Sequence, residues 1–232
     1  MRALSCIWHP FRYGEARARG KVMATIFVTL AGFWPGMAAA QTLLAFGDSL
    51  TQGYGLAQDK GLVPQLQAWL KDHGRDVTVV NGGVSGDTTQ GGLARIDWSL
   101  TPEVNAVMVI LGGNDLLRGT DPAVTQVNLD GILKAITDRH LPVLLVGMQA
   151  SENYGAAYKR QFDAIYPALA HKYGTEFLPS YYAGITPDGT TSPAAMQSYL
   201  QADGLHPNAA GVTNELTQLG PKVLALLDRA EP

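Results

Sequence analysis

The chain has 232 residues, of which 46% are hydrophobic and 16% charged, and these proportions are typical of one folded domain rather than of a disordered chain. Its formal net charge is −3, and beyond residue 40 it lacks the basic clusters that bind nucleic acids or anionic membrane surfaces. The single cysteine, Cys6, lies near the amino terminus, so neither a disulfide nor thiol chemistry is expected in the folded part.

Residues 1–40 differ in pattern from the rest of the chain. Basic residues precede an apolar run over 22–34, and Pro35-Gly36 and then Ala38-Ala39-Ala40 follow it. This order predicts a cleaved secretory signal peptide and a single mature domain over 41–232. That domain holds 12 Lys and Arg against 19 Asp and Glu, a net charge of −7, and no stable membrane insertion is expected of it. An uncleaved membrane anchor is the alternative, because residues 22–40 are long enough to span a bilayer; a translation start at Met23 also stays open.

From residue 42 onward, short apolar runs alternate with longer amphipathic ones. Helices are predicted around Val63–Gly74 and over 88–98, 121–140, 155–173 and 208–228, with Gly220-Pro221 expected to kink or split the last. Strands are predicted at 42–46, 77–80, 106–111, 142–148 and 176–178. Strict alternation predicts an α/β fold: a flavodoxin-like three-layer α/β/α sandwich around a five-stranded parallel sheet of order 2-1-3-4-5.

Polar, glycine-rich turns follow the first three strands. The first strand ends in Gly47-Asp48-Ser49-Leu50, the second runs into Asn81–Thr88, and the third ends in Gly112-Gly113-Asn114-Asp115. Because the carboxyl ends of parallel strands share one edge of the sheet, we expect the three turns to lie together there. Asp48, Asp87 and Asp115 are predicted to stabilise these turns through hydrogen bonds.

The residue types in these turns suit acyl transfer. A serine hydroxyl such as that of Ser49 is a weak nucleophile unless a base lies beside it. The sequence Asp203-Gly204-Leu205-His206-Pro207 supplies an imidazole and a carboxylate that can orient it. The backbone N–H groups of Ser49 and Gly86, together with the Asn114 side-chain amide, can donate to a developing oxyanion. The pattern therefore favours a Ser49–His206–Asp203 triad with a three-donor oxyanion hole.

The motifs GDSL (47–50), SGDT (85–88), GGND (112–115) and DGLHP (203–207) resemble, in order, the blocks of the GDSL or SGNH hydrolase family. Longer stretches such as VVNGGVSGDTTQGGLAR and LGGNDLLRG are similar to its bacterial periplasmic thioesterase, lysophospholipase and arylesterase branch. The resemblance covers about 42–228. It implies that Ser49 is the nucleophile, that Asp203 and His206 complete the triad, and that Gly86 and Asn114 line the oxyanion hole. It also implies a periplasmic location, a small-molecule ester or thioester substrate, and no metal or cofactor.

Other interpretations of these residues are weaker. Ser49 alone would more often be a turn residue, and the glycines around Gly82 would suit a phosphate only with a Walker lysine or a GxGxxG motif, which are absent. Asp203 and His206 are too few to ligate a metal. The α/β-hydrolase elbow, G-x-S-x-G, is also absent around Ser49.

The function predicted from the sequence is therefore that of a secreted serine esterase acting on aryl and short-to-medium acyl esters. Acyl thioesters and lysophospholipids are further expected substrates. Two alternatives stay open: a carbohydrate O-deacetylase acting on polysaccharide, and a binding protein that keeps the fold without turnover. An apolar groove beside the site would favour acyl chains, whereas an aromatic platform would favour sugars.

Overall fold

A computed structural model describes residues 41–186 and 196–230 of the chain; the predicted signal peptide, residues 1–40, lies outside the described residues. A five-stranded parallel sheet has the order β2-β1-β3-β4-β5, which confirms the predicted topology. Its strands are β1 Gln41–Gly47, β2 Val77–Gly83, β3 Ala106–Ile110, β4 Val143–Val146 and β5 Glu176–Leu178.

The apolar pattern of each strand follows its place in the sheet. Every residue of the central strands β3 and β4 is buried, because helices cover both faces of a parallel sheet. The strand β2 forms one edge, where Val77 and Val79 are buried and Thr78 and Val80 are exposed. A continuous apolar run therefore indicates a strand that is buried on both faces, and an alternating run indicates an edge strand that is buried on one face.

Seven α-helices are assigned in the described part of the chain. They are α1 Ser49–Gln52, α2 Leu62–Asp72, α3 Thr89–Ser99, α4 Gly113–Leu117, α5 Pro122–Thr137, α6 Ala156–Tyr173 and α7 Ala209–Asp228. Short 3-10 turns cover Gln58–Lys60, Glu152–Tyr154, Tyr181–Gly184 and Gln197–Tyr199. Contacts join α2 to α7, and separately α3 to α5 and α5 to α6, as expected for helical layers on the two faces of the sheet.

The structure differs from the sequence-based prediction at helices α1, α4, α5 and α7. The short helices α1 and α4 were not predicted, because four or five residues are too few to show a periodic pattern. Helix α5 ends at Thr137 rather than near His140, whose φ of 58° is left-handed.

Of the expected kink or split of the last helix at Gly220-Pro221, the split is wrong, since α7 is unbroken from Ala209 to Asp228. A side chain at position 220 would come within 2.6 Å of the Trp69 ring, so glycine allows α2 to pack closely against α7. This packing compensates for the hydrogen bond that the proline cannot donate.

None of the helices in residues 41–186 and 196–230 has both the length and the apolar character needed to cross a bilayer.

Candidate active site

The three glycine-rich turns meet at the carboxyl edge of the sheet, as predicted from their positions after β1, β2 and β3. Ser49 opens α1 directly after β1, and Asn114 lies in α4 after β3. Asn114 Nδ2 donates to the backbone oxygen of Asp87 at 2.9 Å and lies 3.3 Å from Asp48 Oδ2. Side-chain contacts therefore tie all three turns together around Ser49.

The turn that carries Ser49 is held by a helix cap and by close packing. Asp48 caps α1, because its Oδ1 accepts a hydrogen bond from the Leu50 N–H at 3.0 Å. The backbone of Gly83 passes so near that a side chain there would lie 2.3 Å from the Gln52 nitrogen and 2.8 Å from the Asp48 oxygen. The turn is thus packed directly against the end of β2.

Ser49, His206 and Asp203 form a continuous hydrogen-bonded chain. Ser49 Oγ lies 2.8 Å from His206 Nε2, and His206 Nδ1 lies 2.6 Å from Asp203 Oδ2. A neutral imidazole that carries its proton on Nδ1 donates to the carboxylate and leaves Nε2 free to accept the serine proton. The two segments, 157 residues apart in the chain, are brought together as the sequence predicted.

The Asp203 carboxylate also shapes the loop that carries the histidine. Its Oδ1 accepts hydrogen bonds from the N–H groups of Leu205 at 2.9 Å and His206 at 3.0 Å, and Gly204 between them has a left-handed φ of 69°. Desolvation would raise the pKa of Asp203, but these hydrogen bonds and the adjacent imidazole outweigh it and lower the pKa to about 2. Asp203 is therefore ionised at neutral pH, and its negative charge can stabilise a protonated His206.

The remaining predicted donor, Gly86, lies in the exposed turn after β2. Its φ is +80°, a conformation that favours glycine. Arg118 donates to the Gly86 carbonyl oxygen at 2.9 Å, so this arginine supports the turn.

The aspartates beside the motifs make the structural contacts predicted for them. Asp87 pairs with Arg95 at 2.7 Å, and Asp115 accepts from both the N–H and the hydroxyl of Thr89, at 2.8 and 2.6 Å. Burial raises the pKa of Asp48 to about 6, although the Leu50 N–H, the Asn114 amide and the nearby His206 favour its ionised form. The floor of the site is therefore a network of buried hydrogen bonds.

Three residues around His206 carried no sequence signal. The Tyr54 ring lies 4.8 Å from the His206 ring, centroid to centroid, the Tyr182 hydroxyl donates to the Leu205 oxygen at 2.8 Å, and Gln201 bonds to backbone on both sides of the site. Tyr182 and Gln201 contact backbone oxygens, and Tyr54 contacts the face of a ring. Such contacts can be made by many residue types, so no sequence motif identifies these three residues.

Within the described ranges, no group of three or more His, Cys, Asp and Glu side chains lies close enough together to hold a metal ion.

Comparison with known proteins identifies the family. Residues 45–213 match the model of the GDSL-like Lipase/Acylhydrolase family. The chain belongs to this family. It is 41% identical to the esterase TesA of Pseudomonas aeruginosa, over 82% of this chain and 91% of that protein. It is 38% identical to thioesterase 1/protease 1/lysophospholipase L1 of Escherichia coli K12, over 74% of this chain and 77% of that protein.

A solved structure agrees with this assignment. The esterase AlinE4, described as a member of the SGNH-hydrolase family, has 40% sequence identity and a TM-score of 0.64, covering 81% of this chain and 97% of that one. Family membership confirms the resemblance drawn from the four motifs and makes this GDSL-family chain a hydrolase.

Proposed function

We propose that the chain is a serine esterase that cleaves carboxylic esters through a covalent acyl-enzyme. The observation that carries this proposal is the chain of short contacts from Ser49 Oγ through the His206 ring to Asp203. The chain lies at the open carboxyl edge of the sheet, where a substrate can reach the Ser49 oxygen.

The proposed reaction has two halves. His206 Nε2 takes the proton of Ser49 as Oγ attacks the carbonyl carbon, and the resulting imidazolium is stabilised by Asp203. The same proton passes to the departing alkoxide, aryloxide or thiolate when the carbon–leaving-group bond breaks. Water then attacks the acyl-enzyme with His206 again as base, which releases the acid and restores the Ser49 hydroxyl.

The proposed oxyanion hole consists of the Ser49 and Gly86 N–H groups and the Asn114 amide. Asn114 Nδ2 donates one hydrogen bond to the Asp87 backbone oxygen at 2.9 Å, whereas its contact to Asp48 Oδ2 is longer, at 3.3 Å. The hydrogen in the longer contact is the one available to a developing oxyanion. Such a donor contributes about 10²–10³ to kcat in acyl transfer.

Exposed side chains beside the site favour acyl and aryl groups as substrates. Val84, Leu117 and Leu205 are 48%, 56% and 42% exposed, and each lies within three residues of a proposed site residue. A small pocket beside Ser49 and His206 is lined by the apolar side chains Leu50, Leu56 and Val212 and by the two aromatic rings of Tyr54 and Tyr181. Aliphatic surface of this kind suits acyl chains, and it supports short-to-medium acyl esters, acyl thioesters and lysophospholipids over polysaccharide acetates.

We also propose that residues 1–40 direct secretion to the periplasm and are removed there. The support is the order of basic, apolar and small-residue segments before Gln41. Amino-terminal sequencing of the protein from a periplasmic extract should find a start close to residue 41, and a start at Met1 or Met23 would contradict cleavage.

The test of the proposed function is a series of p-nitrophenyl esters from acetate to decanoate, assayed on wild type and on Ser49→Ala. Wild type should release p-nitrophenol in a burst followed by steady turnover, and Ser49→Ala should show neither, because no acyl-enzyme can form. Full activity of Ser49→Ala would refute the mechanism. If the wild type hydrolysed none of these esters, a binding protein would be favoured. If it hydrolysed only the acetate, the deacetylase would be favoured.

A further variant tests the proposed oxyanion hole with the same esters. Asn114→Ala should lower kcat by about 10²–10³ while the protein stays folded, because one donor to the transition state is lost. Unchanged kcat would remove Asn114 from the oxyanion hole.

A further inference from the structure

A single side chain joins the two loops that bring Ser49 and His206 together. Gln201 Nε2 donates one hydrogen bond to the Tyr54 backbone oxygen at 2.8 Å and another to the Pro207 oxygen at 3.0 Å. Tyr54 follows α1, which begins at Ser49, and Pro207 directly follows His206. Both amide hydrogens of Gln201 are therefore used to bridge the nucleophile segment and the base loop.

The backbone of Gln201 strengthens the same bridge. Its N–H donates to the His206 oxygen at 2.8 Å, beside an isolated antiparallel bridge between Leu200 and Pro207. On the other side, a side chain at Gly55 would come within 2.1 Å of Gln201 Oε1. The carboxamide is thus seated between the two segments, with Gly55 leaving room for it.

Packing of the base loop is concentrated at the His206 ring, which is 20% exposed and lies against the Tyr54 ring, whereas the preceding residues pack loosely. The Asp203 side chain is 37% exposed, and a side chain at Gly204 would meet no atom within 4 Å. Hydrogen bonds therefore hold the backbone of this loop, and those of Gln201 also reach the segment that follows the nucleophile.

We propose that Gln201 is a positioning residue that holds His206 Nε2 within hydrogen-bonding distance of Ser49 Oγ. It touches neither substrate nor reacting atom; it acts through the Tyr54 and Pro207 carbonyls. This role rests on the proposed function of Ser49 and His206. Small displacements of reacting groups cost about 10²-fold in rate, so loss of the bridge should slow acylation without weakening substrate binding.

Two variants at position 201 test this role. Gln201→Met keeps the length of the side chain but removes both donors, and Gln201→Glu keeps the shape but puts an ionised oxygen beside the two carbonyls. Each should lower the rate constant of the p-nitrophenol burst by about 10- to 100-fold and leave nearly unchanged the substrate dissociation constant, which the concentration dependence of the burst gives. Gln126→Met, the same replacement at an exposed position on α5, should match wild type, and thermal melts should show that all three proteins are folded.

The pH dependence separates positioning from a general loss of structure. The introduced carboxyl of Gln201→Glu would regain one donor on protonation, and the two carbonyl oxygens that face it favour the protonated form and raise its pKa above the usual value of about 4.3. The deficit of this variant relative to wild type at the same pH should therefore shrink as the pH falls from about 8 to about 5. The deficit of Gln201→Met should not change. A wild-type burst rate in folded Gln201→Glu at pH 8 would overturn the role of Gln201 alone. Absence of any burst in wild type would overturn the proposed function and this role with it.

Discussion

The Ser49 turn and the His206 loop lie side by side but are held in place by different means. The turn opens with Asp48, whose side chain is buried, and is packed backbone to backbone against Gly83 of β2. The loop from Gln201 to Pro207 is exposed at 202–205 and is held by hydrogen bonds that Asp203 accepts and that Tyr182 and Gln201 donate.

This difference indicates which property a substitution changes. Packing contributes to the stability of the whole domain, so damage to the turn should reduce the free energy of unfolding together with activity. Hydrogen bonds at an exposed loop contribute little to global stability but set distances between reacting atoms. Damage to the loop should therefore reduce kcat while the fold is kept.

The largest effect is expected in the loop. Asp203→Asn should lower kcat by about 10³–10⁴, because an amide at this position favours the wrong imidazole tautomer and cannot stabilise the imidazolium. His206→Ala should lower it further, since the base itself is lost. Urea denaturation should give nearly the same unfolding midpoint for wild type and Asp203→Asn. A large fall in stability with little change in kcat would reverse the assignment of the two regions.

A stability effect is expected in the turn. Gly83→Ala places a methyl group against the Gln52 and Asp48 backbone, and overpacking of this kind should reduce the free energy of unfolding by about 1–3 kcal/mol. Gly113→Ala is the matched control, because its methyl group would meet Asp48 Oδ2 at an ordinary 3.5 Å. Equal stabilities of the two variants by urea denaturation would show that packing does not hold the turn.

The last effect depends on pH and concerns a buried support of the loop. Glu215 Oε2 accepts a hydrogen bond from the Gly184 N–H at 3.0 Å, at the end of the 3-10 turn that contains Tyr182. Burial raises the pKa of Glu215 to about 8, against the smaller opposing effect of that hydrogen bond. A carboxyl whose pKa is raised on folding binds more protons in the folded state, so stability should fall as pH rises from the unfolded value of 4.5 toward 8.

Glu215→Gln should remove that decline, by at most about 1.4 kcal/mol per pH unit. The measurement is the free energy of unfolding between about pH 7 and pH 8, above the range in which Asp48, with a pKa of about 6, adds a slope of the same sign. Glu152→Gln, at an exposed position, is the control and should keep the wild-type slope. An unchanged slope in Glu215→Gln would refute the buried-carboxyl explanation.

Much of the fold and of the site follows from local sequence. Continuous apolar runs such as Ala106–Ile110 identify strands buried on both faces, and the glycine-rich turns after three of them place Ser49 and Asn114 at one edge. The sequence Asp203-Gly204-Leu205-His206 supplies a carboxylate and an imidazole three residues apart, close enough for the turn to join them.

The features that were missed depend on contacts between distant segments. Helix α7 continues through Pro221 because Gly220 packs on Trp69, a residue of α2. Gln201 bonds to backbone carbonyls, one of them 147 positions away in the chain. Neither a pattern nor a motif encodes such pairings, since only the folded chain brings the partners together.

The central claim is that Ser49 Oγ is the nucleophile activated by His206, and covalent trapping tests it most directly. Wild type, Ser49→Ala and His206→Ala would be incubated with a p-nitrophenyl phosphonate, digested, and analysed by mass spectrometry. We predict one phosphonyl adduct, on the peptide containing Ser49, formed quickly in wild type, absent in Ser49→Ala and greatly slowed in His206→Ala. An adduct on another residue that accompanies loss of esterase activity would contradict the account.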